Sequence, residues 1–466
     1  MSDGNADITR QRIEEAHGQE GWSTEGGGVL GGEGGQRVLV LHPFEKDRRT
    51  ATRGRSPEAR LEEAIGLAQA LDIHLVGAET VPLPRIRPDS YIGPGKCDDV
   101  ADLVAADGID LVIFDCDLSP IQQRNLERRL KTKVIDRTAL ILEIFGERAS
   151  TREGELQVEL AHLTYQKSRL VRSWTHLERQ RGGLGFIGGP GETQIEADRR
   201  MIQDRITRIK RQLETVTRTR GLHRKQREQA PYPVVALVGY TNAGKSTLFN
   251  RLTESDVMAE DMLFATLDPT MRALELPSGR KVILSDTVGF ISDLPTTLVA
   301  AFRATLEEVL EADLILHVRD GAHPDSALQK ADVNAVLADL GVDVDSPDMP
   351  IIEVFNKADC MDGDTRRELA MQAERHQDRV LLSAMTGEGV EDLIAAVDGT
   401  LAADDVTISL TIPFQDGASQ SWLKANARIL DEAMTDTGVH MTARLDPVRW
   451  ARFEKRHPAL AAGARD

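Results

Sequence analysis

Residues 239–246, GYTNAGKS, constrain the fold more than any other segment, because they match the phosphate-binding pattern GxxxxGK(S/T). The apolar run Val234–Val238 before them predicts a buried parallel strand, and residues 247–252 after them predict the first turns of a helix. This order of strand, loop and helix directs backbone N–H groups at a phosphate chain. We therefore expect Lys245 to reach the β- and γ-phosphates and the hydroxyl of Ser246 to bind Mg²⁺.

Three further segments each follow an apolar strand, in the order that a GTPase requires. Residues 286–289, DTVG, place an aspartate to hold Mg²⁺ through a water and a glycine N–H to meet the γ-phosphate. Residues 356–359, NKAD, place the carboxylate of Asp359 to accept two hydrogen bonds from guanine, a donor pair that adenine lacks. Residues 383–385, SAM, suit a backbone contact to guanine O6. The motifs resemble those of translation-factor-class GTPases, and an ATP-type P-loop protein remains the alternative if Asp359 does not face the base.

Residues 264–268, FATLD, lie between the P-loop and the DTVG segment. In this segment Thr266 is the candidate for a second hydroxyl on Mg²⁺ and for the sensor of the γ-phosphate. Lys245, Thr266 and Gly289 are therefore the candidate catalytic residues, which act through positioning and charge stabilisation rather than as a side-chain base. Ser246 and Thr266 are the candidate metal ligands.

Phe290 follows the DTVG glycine, where Ras-like enzymes carry a glutamine that orients water. Because a phenyl ring cannot polarise water, we expect slow hydrolysis by the free protein and an external factor that completes the site. Asn242 resembles a P-loop residue that some related GTPases use to coordinate K⁺, so K⁺ is a candidate second cofactor. The alternative is that Asn242 only caps the loop through its side chain.

Length and composition exclude several classes of protein. A chain of 466 residues predicts two to four domains. The three cysteines, Cys97, Cys116 and Cys360, have no metal-binding spacing and fit a reducing cytoplasm. No apolar run approaches the roughly 18 residues of a membrane span. We expect a cytoplasmic location, with peripheral membrane association of part of the protein as an alternative. The net charge of −18 argues against uniform coating of nucleic acid.

The predicted fold class is α/β, with a P-loop GTPase domain, an N-terminal α/β domain, an antiparallel coiled-coil hairpin and a small C-terminal α/β domain. Alternating strands and helices from Arg37 onward predict a mainly parallel N-terminal sheet. Within it, residues 91–96, YIGPGK, favour a tight turn over an anion site, because Pro94 lacks an N–H donor. The predicted units are a disordered tail at 1–35, the N-terminal domain at 36–150, the hairpin at 151–230, the GTPase domain at 231–402 and the C-terminal domain at 403–466.

Two apolar seams with alternating steps of four and three predict the helical hairpin. The first seam consists of Leu156, Leu160, Leu163, Leu170, Trp174 and Leu177, and the second of Ile195, Ile202, Ile206, Ile209, Leu213 and Val216. The connection 181–191 contains six glycines around Phe186 and Ile187. A simple turn needs one or two glycines, so we favour a flexible probe that folds onto a partner over a mobile loop.

The second hairpin helix is strongly basic between residues 199 and 228, with eleven arginines and lysines against three acidic residues. In an acidic chain this clustering favours a contact with RNA phosphates over a solvated helix face.

At the C-terminus, alternation over residues 406–412 and 439–445 predicts two strands. Between them, Leu423, Ala427, Leu430 and Met434 predict one face of a helix.

Taken together, these segments resemble the HflX family of bacterial GTPases over about residues 36–400. The segments that carry the resemblance are YIGPGK at 91–96, DRT at 136–138, GELQVEL at 154–160, GGPGET at 188–193 with Glu196 and DRR at 198–200, and FATLDPT at 264–270. The resemblance implies nucleotide contacts by Gly239, Tyr240, Thr241, Asn242, Ala243, Gly244, Lys245, Ser246, Phe264, Ala265, Thr266, Leu267, Asp268, Asp286, Thr287, Val288, Gly289, Asn356, Lys357, Ala358, Asp359, Ser383, Ala384 and Met385.

The same resemblance implies a monomeric GTPase that binds the large ribosomal subunit and its RNA, with GTP or GDP and Mg²⁺ in its site. Family members dissociate stalled or idle ribosomes, notably under stress, and the hairpin tip resembles the part that reaches toward the peptidyl-transferase region. The alternative is a GTP-dependent scaffold that recruits a protein partner or assists a tRNA-modifying enzyme. The basic hairpin distinguishes the two, since only the first function requires it to contact RNA.

Overall fold

The architecture comes from a computed structural model that describes residues 35–45, 55–180, 190–227, 232–254, 263–264, 270–293, 308–344, 346, 349–403 and 405–463. Three predictions therefore lie largely or wholly outside the described residues: the disordered tail at 1–35, the glycine-rich hairpin tip and a helix at 296–312, which the sequence predicts after the γ-phosphate contacts of DTVG. Thr266 and its neighbours at 265–269 also lie outside them.

The N-terminal unit is built on a parallel four-stranded sheet in the order β2-β1-β3-β4. Its strands are β1 (Gln36–Glu45), β2 (Ile73–Leu83), β3 (Leu111–Phe114) and β4 (Lys133–Asp136), and its helices are α1 (Pro57–Gln69), α2 (Pro94–Asp107), α3 (Pro120–Leu130) and α4 (Arg137–Arg148). All four residues of β3, LVIF, are buried, as a central strand covered on both faces requires. Arg87 and Tyr91 exchange backbone hydrogen bonds of 3.0 Å, so a turn leads into the YIGPGK segment, and α2 begins within that segment at Pro94.

The hairpin consists of α5 (Arg152–Gln180) and α6 (Pro190–Arg227). Arg205 pairs with Glu159 at 2.6 Å, and Lys167 donates to Gln203 at 2.5 Å. Moving forward along α5 from Glu159 to Lys167, the partner on α6 moves backward from Arg205 to Gln203, so the two helices are antiparallel. In the predicted seams, Leu156, Ile206 and Ile209 are buried.

The GTPase domain contains a six-stranded sheet in the order β10-β9-β8-β5-β7-β6, in which only β6 is antiparallel to its neighbour. Its strands are β5 (Val234–Val238), β6 (Thr270–Glu275), β7 (Lys281–Asp286), β8 (Leu314–Asp320), β9 (Ile351–Asn356) and β10 (Arg379–Leu381). Its helices are α7 (Lys245–Thr253), α8 (Ser326–Leu340), α9 (Gly363–Arg375) and α10 (Val390–Leu401). The parallel strands bring the carboxyl ends of β5, β7 and β9 to one edge, where the predicted motifs meet.

The N-terminal and GTPase domains share one apolar core. Phe145 of α4 and Leu140 belong to the same buried cluster as Phe264 and Phe290 of the GTPase domain. The rings of Phe145 and Phe264 meet edge to face, with centroids 4.6 Å apart. Thus the segments before and after the predicted phosphate contacts pack directly on the N-terminal domain.

The C-terminal unit is an antiparallel sheet in the order β11-β13-β12, with helices on one face. Its elements are β11 (Val406–Pro413), α11 (Gly417–Asn426), β12 (Arg428–Thr435), β13 (Gly438–Leu445), α12 (Pro447–Arg456) and α13 (Pro458–Ala461). The helix predicted through Leu430 and Met434 is wrong, because both residues lie in β12 and are 45% and 86% exposed. Helix α11 ends at Asn426, and the chain then pairs with β13, so the steps of four, three and four residues did not mark one buried helical face.

Candidate guanine-nucleotide site

Glycine is required at two positions of the P-loop. Gly239 has φ +152°, and a Cβ there would lie 2.1 Å from the carbonyl oxygen of Val318 on β8. Gly244 has φ +89°, and a Cβ there would lie 2.2 Å from Nδ2 of Asn356. Both glycines let the loop pass close to neighbouring strands and end at the N-terminus of α7. This is the geometry of an anion-binding site.

Lys245 and Ser246 open α7 at this edge. The ammonium of Lys245 is buried and donates to the carbonyl oxygens of Gly239 and Tyr240 at 3.1 and 2.9 Å. Burial lowers its pKa to about 8, against the attraction of Asp286. Ser246 Oγ donates to Asp286 Oδ2 at 2.7 Å, so the predicted hydroxyl ligand and the predicted water-holding carboxylate converge.

These oxygens fit a magnesium ion bound together with phosphates, since Mg²⁺ prefers hard oxygen ligands and few protein ligands. Within the described ranges, no group of three or more His, Cys, Asp and Glu side chains is placed to hold a metal. An ion at this site would have Ser246 and the predicted ligand Thr266 as protein ligands beside the nucleotide, and it would neutralise charge on the phosphates.

The DTVG segment lies directly against the P-loop. A Cβ at Gly289 would lie 2.7 Å from Thr241 Cγ2 and 3.1 Å from Lys245 Nζ, so only glycine fits this approach. The N–H of Thr241 donates to the carbonyl of Phe290 at 2.7 Å, and the N–H of Phe290 donates to the carbonyl of Gly239 at 3.1 Å. The Phe290 ring is 1% exposed within the shared core, which agrees with the expectation that it orients no water.

Asn356 joins the two ends of the site. Its Nδ2 donates to the carbonyl of Ala243 in the P-loop at 2.8 Å, and its Oδ1 accepts from the N–H of Ala384 at 2.9 Å. Asp359 is exposed, and one of its carboxylate oxygens accepts from Ser383 Oγ at 2.5 Å. This hydrogen bond lowers the pKa of Asp359, so the carboxylate is charged and available to a pair of donors on a base.

The backbone of Asn242 is left-handed, with φ +58°, a conformation that asparagine tolerates better than most residues. This backbone conformation is a structural reason for an asparagine here, separate from both the side-chain cap and K⁺ coordination, which stay predictions. Of the segment 264–268, the described residue is Phe264, which is also left-handed and buried.

Family models cover most of the chain. A "GTP-binding GTPase N-terminal" model matches residues 58–146, a "GTP-binding GTPase Middle Region" model 148–227, a "50S ribosome-binding GTPase" model 234–357 and an "HflX C-terminal domain" model 368–463. The GTPase HflX of Escherichia coli K12 is 45% identical over 428 residues, which are 92% of this chain and 97% of that protein. The chain belongs to the HflX family of GTPases.

A second HflX relative is similar over most of its length. The GTPase HflX of Magnetococcus marinus is 47% identical over 396 residues, covering 84% of this chain and 90% of that protein. Among solved structures, a GDP complex of SsGBP is 23% identical and covers 78% of this chain, with a TM-score of 0.45. The resemblance drawn from the sequence is confirmed, as are the α/β class with its P-loop domain and the prediction of a GTP hydrolase. Within the described ranges, no helix of this HflX-family chain is long and apolar enough to span a membrane.

Sequence reasoning missed the contact between the N-terminal domain and the nucleotide site. Glu63 of α1 is nearly buried and accepts from four groups. Ser292 Oγ donates to it at 2.7 Å, Arg55 donates at 2.9 Å, and Tyr240 and Arg137 also donate. One carboxylate thus ties the P-loop residue Tyr240 to the segment after DTVG.

Burial alone would raise the pKa of Glu63, but Arg137 and the hydrogen bonds from Tyr240 and Ser292 outweigh it and lower the pKa. Arg55 also bonds Asp332 of α8 at 2.8 Å, which extends the ion-pair network across the GTPase domain. The partners in the GTPase domain, Tyr240 and Ser292, lie 177 and 229 residues from Glu63 in the chain, and no local pattern marks them.

Proposed function

We propose that this chain binds GTP and GDP through the P-loop, the DTVG segment, Asn356, Asp359 and residues 383–385, with Mg²⁺ on Ser246 and Thr266. The convergence of Ser246 with Asp286, and the link from the P-loop through Asn356 to Ala384, support this assignment. In hydrolysis, Lys245 stabilises phosphate charge and the Gly289 N–H is oriented toward the γ-phosphate. With Phe290 buried, this chain supplies no side chain at that position to orient water.

Guanine specificity is tested by Asp359→Asn. The amide presents a donor to one of the two base donors, so we expect GTP affinity to fall roughly 100-fold through loss of a charge-assisted pair. Xanthosine triphosphate, which carries an acceptor at C2, should gain affinity. An unchanged preference for GTP would show that Asp359 does not face the base. Glu391→Gln, in the first turn of α10, is the control for loss of one negative charge.

We further propose that the chain binds the large ribosomal subunit through α6 and dissociates or recycles ribosomes under stress. Arg199, Arg200, Arg208, Lys210 and Arg211 are all exposed on α6. Among the described residues, no ion pair occupies Arg208 or Arg211, so both are available to phosphates. The description of the matching family model supports the same partner. A ribosomal partner implies a cytoplasmic protein, and one hairpin per monomer suffices for the contact.

GTP turnover with and without purified large ribosomal subunits tests this proposal. We expect slow turnover alone and strong stimulation by the subunits. Arg208→Glu with Arg211→Glu should abolish the stimulation and leave basal turnover unchanged. The matched control is Arg367→Glu with Arg375→Glu on α9, which changes net charge equally. Intact nucleotide binding without stimulation would favour the scaffold function instead.

The proposal includes K⁺ at Asn242 as an aid to hydrolysis. Turnover measured in KCl and in NaCl at equal ionic strength tests it, and equal rates would leave Asn242 with its structural role alone.

A further inference from the structure

Arg251, in the last turn of α7, holds the loop at residues 383–385 from the side. Its Nε donates to the carbonyl oxygen of Ala384 at 2.5 Å, and an Nη donates to the carbonyl oxygen of Met385. The loop passes close to the guanidinium, because a Cβ at Gly387 would lie 2.9 Å from an Nη of Arg251. One planar fork thus bridges two successive carbonyls 133 and 134 residues away in the chain.

Ser383 and Ala384 are anchored by Asp359 and Asn356, whereas the observed hydrogen bonds of the tip beyond Ala384, apart from the one to Arg251, lie within the turn. Ser383 Oγ accepts from the N–H of Thr386 at 3.1 Å, and the N–H of Gly387 returns to the carbonyl of Ser383 at 2.8 Å. These bonds close the turn on itself and do not fix its direction relative to the phosphate end. The Met385 side chain is 70% exposed, so packing does not hold the tip either.

The bonded carbonyls constrain the N–H groups of the same stretch. The carbonyl of Ala384 and the N–H of Met385 belong to one planar peptide and point in opposite directions. A cation on the carbonyl therefore fixes the direction of that N–H and strengthens it as a donor. Ala384 is held at both of its polar atoms, since its N–H meets Asn356 and its carbonyl meets Arg251.

We propose that Arg251 is a positioning residue for guanine recognition, which orients the backbone N–H of Met385 toward O6 of the base. The proposal rests on the proposed base site. Because Lys245 and Ser246 begin the helix whose last turn carries Arg251, one rigid element sets the distance between phosphate and base contacts. Merely structural stabilisation by Arg251 would affect all nucleotides alike, whereas positioning affects those that use O6.

The test compares GDP with 6-thioguanosine diphosphate, which keeps the N1 and N2 donors and replaces O6 with sulfur, a weak acceptor. Calorimetric titration of the full chain gives both dissociation constants for wild type, Arg251→Ala and Arg251→Lys. We expect Arg251→Ala to weaken GDP binding roughly tenfold and 6-thio-GDP binding much less, so that discrimination shrinks. Arg251→Lys should be intermediate, because one ammonium cannot match the two carbonyls of the fork.

Arg280→Ala is the matched control, since Arg280 also donates to a backbone carbonyl, that of Leu401, and to Asp405. It should leave the GDP to 6-thio-GDP ratio unchanged. An unchanged ratio in both Arg251 variants would overturn the proposal. A wild type that binds GDP without preferring it over 6-thio-GDP would overturn it while leaving the GTPase assignment intact. A wild type that fails to bind GDP would overturn both.

Discussion

Glu63→Gln should loosen the junction between the N-terminal domain and the nucleotide site. The carboxylate accepts from Arg55, Arg137, Tyr240 and Ser292 in a nearly buried position. An amide removes the negative charge between two guanidinium groups and turns one acceptor into a donor that faces other donors. Breaking a buried pair in this way costs about 3–5 kcal/mol. We expect the free energy of the first unfolding transition in urea to fall by that amount.

The control is Glu159→Gln, because the pair that Glu159 forms with Arg205 is exposed, with 36% and 44% of the two side chains accessible. An exposed pair contributes about 0–1 kcal/mol. Since Glu63 also holds Tyr240 of the P-loop and Ser292, GDP should dissociate faster from Glu63→Gln and at the wild-type rate from Glu159→Gln. Circular dichroism in urea and stopped-flow release of a fluorescent GDP measure the two effects. Equal shifts in the two variants would refute the role of Glu63.

Two further predictions concern the P-loop. Gly239→Ala should abolish GDP binding, because its Cβ would lie 2.1 Å from a carbonyl oxygen. Gly279 also has a positive φ but has nothing within 4 Å of its Cβ, so Gly279→Ala should lower the folding stability by only about 1 kcal/mol and retain binding. Titration calorimetry with GDP distinguishes the two variants. Burial lowers the pKa of Lys245 to about 8, so this side chain is largely neutral at pH about 8.5 and becomes charged when it meets the phosphates of GDP. We expect the protein to take up about three-quarters of a proton on GDP binding at pH about 8.5 and little near pH 6.5. Calorimetry in buffers of different ionisation enthalpy measures this uptake. Because the unfolded chain binds more protons between about pH 8 and 10.5, the ligand-free protein should also gain stability as pH rises through that window. Uptake independent of pH would contradict the assignment to Lys245.

The parts of the fold that follow from local pattern were predictable. Apolar strands that end in DTVG and NKAD define a parallel sheet and the edge at which ligands bind, and heptad steps define the hairpin. The helix predicted through Leu430 and Met434 failed because apolar spacing over a short exposed segment is a weak guide, and pairing with β13 prevailed.

Contacts between distant segments were not predictable. Phe290 was expected to leave water unpolarised, but no pattern indicated that its ring lies in a core shared with the N-terminal domain. Glu63 and Arg251 look like ordinary charged residues of solvated helix faces in the sequence. Their partners are fixed only by how α1 and α7 pack, so their roles required the structure.

The shared core has a consequence for how the protein can be dissected. A fragment that begins near residue 231 would keep every nucleotide motif but would remove the N-terminal residues of the core that Phe264, Val288, Phe290 and Ile291 share with the N-terminal domain. The retained residues flank the phosphate contacts, so the fragment would be altered at its catalytic segments. It would also expose an apolar patch that favours aggregation. The GTP turnover of such a fragment would combine the structural disturbance of the exposed core with any direct effect of the N-terminal domain on hydrolysis. Point substitutions in the full chain, which keep the apolar contacts in place, separate the two.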